Sequence, residues 1–193
     1  MLAATIRRFA ADATRLRSSR SFAGCQKAAT TVEFALVATP FIALLVAIVQ
    51  TFIVFFAQRV LDEVTEEASR YIMTGQAQTA SMTQSGFDNY LCTSSHTATL
   101  VSALFTCSNI IINVQNYSSF ASANTTTPSL TYNANGTVSN TWSYSAGNAG
   151  DIVVVQVMYQ WPVVLGPLSF NLGNLANGDR LLISTAVFRN EPY

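Results

Sequence analysis

The chain is poor in charge and in the residues that catalysis requires. Asp, Glu, Lys and Arg make up 10% of its 193 residues, whereas about 25% is usual for a soluble domain. Its single histidine, His96, lies in a Ser/Thr-rich stretch without a neighbouring ligand pattern. The motifs CxxC, HExxH and GxSxG and the P-loop are absent from the sequence. We therefore expect no enzyme, no catalytic residue, no metal site and no cofactor.

Formal charge is also missing from a long apolar segment. No residue from Phe34 to Ala57 is charged, and Gln50 is its one strongly polar side chain. About 20 apolar residues span a bilayer core as a helix, so the segment predicts a transmembrane helix at about 34–57. Pro40 is tolerated there because membrane helices can re-satisfy the carbonyl that it frees. A cleavable signal peptide is the alternative, although its apolar core would be only roughly 7–15 residues long.

The net charge of zero conceals an asymmetry along the chain. Residues 1–28 contain six cations and one acid, whereas residues 29–193 contain four cations and nine acids. The positive-inside rule keeps the basic leader, 1–28, in the cytoplasm and exports the chain beyond the span. The exported part is acidic and has no basic aromatic patch, which argues against nucleic-acid binding.

Residues 29–75 read as one helix, because Pro40 is the single breaker before Gly75. Its second half is amphipathic, and we expect ion pairs Arg59–Glu63 and Glu66–Arg70 at i,i+4. The apolar positions of this half are Val60, Leu61, Val64, Ala68, Tyr71 and Ile72. Its acids, Asp62, Glu63, Glu66 and Glu67, are interpreted as a solvated surface.

The exported domain, 76–193, is predicted to be rich in β-structure. A short helix is expected at Ala98–Phe105, and strands at 110–117, 151–161 and 179–190. Residues 116–150, rich in Ser, Thr and Asn, form a long loop or irregular hairpin with a turn at Asn135-Gly136. The predicted class is α+β: a long N-terminal helix followed by a small antiparallel sheet, which buries one face on that helix or on the apolar connector after residue 161.

The three cysteines divide between compartments. Cys92 and Cys107 lie on the exported side, where oxidation is expected, and a disulfide between them would contribute about 3 kcal/mol. Two free thiols are the alternative. "FAGC" at 22–25 is similar to a lipidation site, but such a site needs an apolar core upstream, so we reject lipidation of Cys25.

A carboxylate, Glu33, lies at the start of the apolar segment. An acid at a membrane boundary is costly, so a functional role is the default and a position among lipid head groups is the alternative. The order of basic leader, small residues, carboxylate, aromatic and apolar helix resembles type IV pilins. More closely, "ATTVEFALVATPFIALLVAIVQ" and the helix after it are similar to TadE-like proteins, which are minor pseudopilins of the tight-adherence (Tad/Flp) pilus. "LLISTAVFRNEPY" is similar to their closing segment, so the resemblance covers about 27–78 and 151–193.

The resemblance implies cleavage between Ala28 and Ala29 by a prepilin peptidase, which makes Glu33 the fifth residue of the mature chain. The residue before the cut is usually Gly in this superfamily, and here it is Ala28. The new amine of Ala29 would pair with Glu33 in the same chain or in a neighbour. Glu33 and the adjacent Phe34 would thereby set subunit register during assembly.

We therefore interpret the chain as a non-catalytic minor pilin that takes part in assembly, priming or tip formation of a Tad pilus. The implied partners are major and minor Tad pilins, the inner-membrane assembly platform, prepilin peptidase and lipid. The implied location is the bacterial inner membrane, with a single pass and a periplasmic C-terminal domain, and incorporation into the extracellular pilus. The alternative is a membrane-anchored binding domain outside any pilus; a secreted hydrolase lacks a catalytic constellation.

Overall fold

The computed structural model describes residues 26–93, 95–133, 138–164 and 170–193. The chain divides into two compact units, of which the first ends at Ala47 and the second is Ile48–Tyr193. The described part of the first unit is helical throughout. The second adds three short α-helices, two 3₁₀-helices (Cys107–Asn109 and Phe120–Ser122) and a three-stranded sheet. The α+β prediction is confirmed. Cys25 and most of the predicted leader lie outside the described residues.

The long helix α1 comprises Gln26–Met73, so the prediction of a helix at 29–75 is confirmed. It ends where Gly75 adopts φ 76° and donates its N–H to Ile72 O at 3.0 Å. This left-handed conformation costs glycine little, which explains why the helix stops there. The ring of Tyr193 occupies the space that a Cβ at Gly75 would need, and Glu191 N donates to Met73 O.

The sheet has the order β1-β2-β3 and is antiparallel throughout. Its strands are β1, Ile110–Tyr117; β2, Ile152–Trp161; and β3, Arg180–Arg189. Val157 of central β2 lies opposite Ile112 of β1 and Ser184 of β3. Residues 152–159 are all buried, as the nearly continuous apolar run of β2 requires for a strand covered on both faces. All three strand predictions are confirmed.

One face of α1 belongs to the same core as the sheet. The apolar positions Val60, Leu61, Val64, Ala68 and Ile72 are buried in one cluster with alternate residues of β2. Of the two predicted alternatives, packing of the sheet on the helix or on the connector, the first is confirmed. The packed face begins earlier than the sequence indicated, because Val54 and Ala57 are also in the core.

The acidic side of α1 differs from the expected ion-pair pattern. Arg59 Nη1 lies 3.8 Å from Asp62 Oδ2, at i,i+3, instead of pairing with Glu63. Asp62 also accepts a hydrogen bond from Gln58 Nε2 at 3.0 Å, through its other carboxylate oxygen, Oδ1. Among the described residues no ion pair joins Glu66 to Arg70, so both expected i,i+4 pairs are wrong.

Three short helices follow α1: α2, Gln76–Thr79; α3, Gln84–Thr93; and α4, Ala98–Leu104. The sequence predicted α4 but neither α2 nor α3. Helix α3 contains Gly86 and several polar residues, so its intrinsic helix propensity is weak. It is stabilised by burial of Phe87 and Leu91, one turn apart, in the core.

The Ser/Thr/Asn-rich segment is an irregular excursion that covers the outer edge of β1. Val114 N donates to Ser143 O at 2.8 Å, and Ser145 N donates to Val114 O at 2.9 Å. An isolated antiparallel bridge joins Tyr132 to Val138, which agrees with an irregular hairpin. The predicted turn at Asn135-Gly136 lies outside the described residues.

Candidate assembly segment

The first half of α1 exposes large apolar side chains on every side. In the first unit Phe34, Leu36 and Val37 are 70–73% exposed, and Phe41, Ile42, Leu44 and Leu45 are exposed too. In the second unit Ile48, Val49, Phe52 and Phe55 are exposed. Because successive helical residues point about 100° apart, these positions surround the axis.

Such exposure excludes a simple core helix. The most apolar window of α1 has a mean hydropathy of 2.5, and only 17% of it is buried. Soluble proteins rarely expose contiguous apolar patches of this extent. The helix is therefore a candidate single membrane span, and lipid or other apolar helices must cover it.

Glu33 lies on this apolar surface in the first unit. Its neighbours one turn along the helix, Leu36 and Val37, are both apolar and exposed. The Glu33 side chain makes no hydrogen bond or ion pair to another residue in the described part of the chain. A carboxylate in that setting requires water, a lipid head group or a cation from elsewhere. Phe34, which is predicted to set subunit register together with Glu33, is the most exposed aromatic residue of the segment.

The bond between Ala28 and Ala29 lies within α1, whose described part begins at Gln26. A protease that needs an extended substrate would have to unwind the helix locally at this bond.

Pro40 is accommodated inside α1 without ending it. Proline removes one i→i−4 hydrogen bond from the helix and places its ring against the preceding turn. One residue earlier, the Thr39 hydroxyl donates to Ala35 O at 2.7 Å and adds a bond to that turn. This side-chain bond is typical of Ser and Thr in apolar helices.

The predicted disulfide joins Cys92, near the end of α3, to Cys107, just after α4. The two Cα atoms lie 6.0 Å apart, and both residues pack against the core. The disulfide prediction is therefore confirmed. The bridge ties the end of α3 to the chain that follows α4.

Glu67 has a specific role that the sequence analysis did not find. Its carboxylate accepts hydrogen bonds from His96 N at 2.7 Å, Thr97 N at 3.2 Å and the Thr97 hydroxyl at 3.1 Å. It thus caps the N-terminus of α4, where backbone N–H groups lack partners. These hydrogen bonds show that the interpretation of Glu67 as a solvated surface residue is wrong. The sequence did not indicate this role, because the residues that Glu67 binds lie about 30 positions away along the chain.

An open cavity of about 390 Å³ lies beside this cap. Its walls are mostly polar and include Glu63, Glu66, Arg70 and the exposed His96. The described residues contain no group of three His, Cys, Asp or Glu that could hold a metal ion. The described lining of the cavity therefore contains no such group of metal ligands.

Asp88 on α3 is the most perturbed acid of the domain. Burial raises the pKa of its carboxyl to about 6, and Oδ1 is buried without a hydrogen-bond partner among the described residues. The hydroxyl of Tyr144 is buried and unpartnered as well. Burial, together with the charges of Tyr71 and Asp88, raises the pKa of Tyr144 to about 12.

Replacing Asp88 by Asn is expected to stabilise the protein at pH 8. The pKa of the Asp88 carboxyl is higher in the folded state than in the unfolded state. The folded protein is therefore most stable, as far as Asp88 is concerned, below about pH 4, and it loses this stability as the pH rises through about 6. Full burial would make this shift worth about 3 kcal/mol, and partial exposure reduces it to about 1–2 kcal/mol. Thermal unfolding of the detergent-solubilised chain at pH 4 and pH 8 measures the difference.

The control for this prediction is Glu63→Gln, which removes an exposed carboxylate from α1. We expect it to change the unfolding temperature little at either pH. Equal unfolding temperatures of Asp88→Asn and wild type at pH 8 would contradict a destabilising carboxylate at position 88.

Comparison with known proteins agrees with the geometry of α1. Residues 28–70 match the family model of TadE-like proteins. Over this segment the chain is similar to that family. The match supports the resemblance of the N-terminal helix to TadE-like proteins, which belong to the Tad pilus system. It does not extend to residues 151–193, where the resemblance stays a prediction. Searches of curated proteins and of solved structures found no match.

The segment that matches the TadE-like family includes both the exposed and the packed parts of α1. It begins with the exposed apolar half, which contains Glu33, and continues through the half that packs on the sheet, to Arg70. The matched segment therefore contains both the candidate span and the helix face that packs on the sheet.

Proposed function

We propose that this TadE-like chain is a non-catalytic minor pilin that takes part in assembly, priming or tip formation of a Tad pilus. The single observation that carries the proposal is Glu33: an acid without a partner in the described chain, on an apolar helix that matches the family. A helix of this kind needs both apolar neighbours and a cation. Equivalent helices with free N-terminal amines supply both.

The proposed orientation places residues 1–28 in the cytoplasm and the sheet domain in the periplasm. The six cations before the span support this orientation. The disulfide supports an oxidising compartment for residues 92–107. After assembly the domain would be displayed on the pilus, with the assembly platform, prepilin peptidase and other Tad pilins as partners.

The proposed processing step is hydrolysis of the Ala28–Ala29 peptide bond. It removes the basic leader and creates an α-amine four residues before Glu33. Because an unpaired acid among packed apolar helices costs several kcal/mol, pairing of this amine with Glu33 favours one axial register between subunits.

Mass spectrometry of the protein isolated from its native membrane tests the processing step. We expect the mature chain to begin at Ala29 and to lose the leader only when prepilin peptidase is present. Replacing Ala28 by Gly, the residue usual in this superfamily, should leave the cut in place or accelerate it, whereas Ala28→Lys should block it. A chain that keeps Met1 in cells with active peptidase would favour the anchored binding domain.

A further inference from the structure

Gln50 links the apolar helix to the connector that follows β2. It is the one strongly polar residue between Phe34 and Ala57, and its Nε2 donates to Val164 O at 3.1 Å. Both residues belong to the second unit. The hydrogen bond therefore fixes Pro162–Val164 beside α1 at the level of Gln50.

The level of Gln50 lies inside the predicted span. With a rise of 1.5 Å per residue, Gln50 lies about 10 Å before Ala57 along the helix. A span of about 20 residues that starts at Phe34 ends near Ile53, which is also beyond Gln50. A bilayer that covers the apolar helix to either limit reaches the connector as well.

The connector has the composition that this depth requires. Val164 is 73% exposed and Val163 is half-buried, while Pro162 carries no N–H that would need a partner. No residue between Ile152 and Gly178 is charged. Irregular backbone at membrane depth is tolerated only where its polar groups are satisfied, and Gln50 satisfies the carbonyl of the exposed Val164.

The adjacent surface of α1 is apolar too. Ile48, Val49 and Phe52 are 55–67% exposed in the same unit as the connector. Exposed apolar residues thus occur on both sides of the Gln50–Val164 hydrogen bond, and they continue the surface of the candidate span. Because this surface continues that of the candidate span, we identify lipid as the partner that covers it.

We propose that Pro162–Val164 is a second membrane-contacting element, which rests in the outer part of the bilayer and is held against α1 by Gln50. The exported domain then has two attachments to the bilayer surface, so its tilt relative to the membrane is restricted. The proposal goes beyond the pilus role and requires only that α1 spans a bilayer. A chain that never enters a pilus would still show it.

Depth-dependent fluorescence quenching tests the contact. The full chain, with Cys25→Ser to remove the third cysteine, carries Val164→Cys labelled with a nitrobenzoxadiazole dye. It is reconstituted into vesicles of phosphatidylethanolamine and phosphatidylglycerol, with or without a lipid that bears a doxyl group high on its acyl chain. We expect blue-shifted emission and an approximately twofold loss of intensity with the doxyl lipid.

Two labelled positions provide the controls. Phe52→Cys, on the exposed face of α1, should be quenched at least as strongly as position 164. Phe120→Cys replaces another large apolar residue, which is 61% exposed, and carries the same dye. Phe120 follows β1 at the end of the sheet that is far from Trp161 and the connector. It should keep its aqueous emission and lose little intensity.

The outcomes separate lipid from other partners. Aqueous emission at position 164 beside strong quenching at position 52 would overturn the proposal. A blue shift without doxyl quenching would also overturn it, because protein would then cover Val164.

A second variant tests the role of Gln50. Gln50→Leu removes the hydrogen bond to Val164 O and should lower the quenching at position 164 by about half. Gln58→Leu is the matched control, since Gln58 Nε2 donates instead to Ile183 O at 3.0 Å; quenching at position 164 should persist there. Unchanged quenching in Gln50→Leu would show that Gln50 does not hold the connector.

Discussion

Glu33→Ala is expected to reduce incorporation of the chain into pili at least about tenfold, while its amount in the membrane stays the same. A tenfold change corresponds to about 1.4 kcal/mol, less than the several kcal/mol expected for an unpaired amine among apolar helices. Immunoblots of sheared pili and of membranes from the same cells measure both quantities.

The mechanism behind this effect is a loss of register. Without the Glu33 carboxylate, the apolar surface of α1 still favours association with neighbouring helices. All axial positions of the two helices that bury Leu36 and Val37 would then have nearly the same free energy. The proposed pair would select one shift, because only there would the amine of Ala29 meet the Glu33 carboxylate. The variant should therefore remain in the membrane and fail at assembly.

A matched variant distinguishes this role from a general effect of charge. Glu63→Ala removes an acid from the exposed side of the same helix, and we expect normal incorporation. Glu33→Gln keeps the size of the side chain and should be nearly as defective as Glu33→Ala. Normal piliation of both Glu33 variants would refute the register mechanism.

The structure could be predicted from the sequence where it depends on residues close together along the chain. The continuous apolar run of β2 indicated a strand buried on both faces, and the spacing of Val60, Leu61 and Val64 indicated the packed face of α1. Gly75 marked the end of that helix because its left-handed conformation suits glycine. In each case the cause of the structure lies within a few residues of its effect.

The sequence was insufficient where the partners are distant along the chain. Helix α3 has weak propensity and forms because Phe87 and Leu91 enter a core made by other elements. The Glu67 cap and the Gln50 hydrogen bond join residues 30 and 114 positions apart. A polar residue in an apolar or acidic run indicates that some partner exists, but only the fold identifies it.

Removal of the disulfide by Cys92→Ser with Cys107→Ser is expected to destabilise the sheet domain by about 3 kcal/mol, because the bridge closes a 15-residue loop. In a domain of this size the unfolding temperature should fall by about 6–12 °C. Circular dichroism of the detergent-solubilised chain, with and without reductant, measures the change.

The expected damage is local as well as global. The bridge joins α3 to the chain after α4, and α3 has little helical propensity of its own, so these two helices should lose amide protection from hydrogen exchange before the sheet does. Cys25→Ser, which removes a thiol without opening a loop, should leave both unfolding temperature and exchange unchanged. If the double variant matched wild type in both measurements, Cys92 and Cys107 would act as free thiols in the native protein. The packing of Phe87 and Leu91 would then be enough to hold α3 in place.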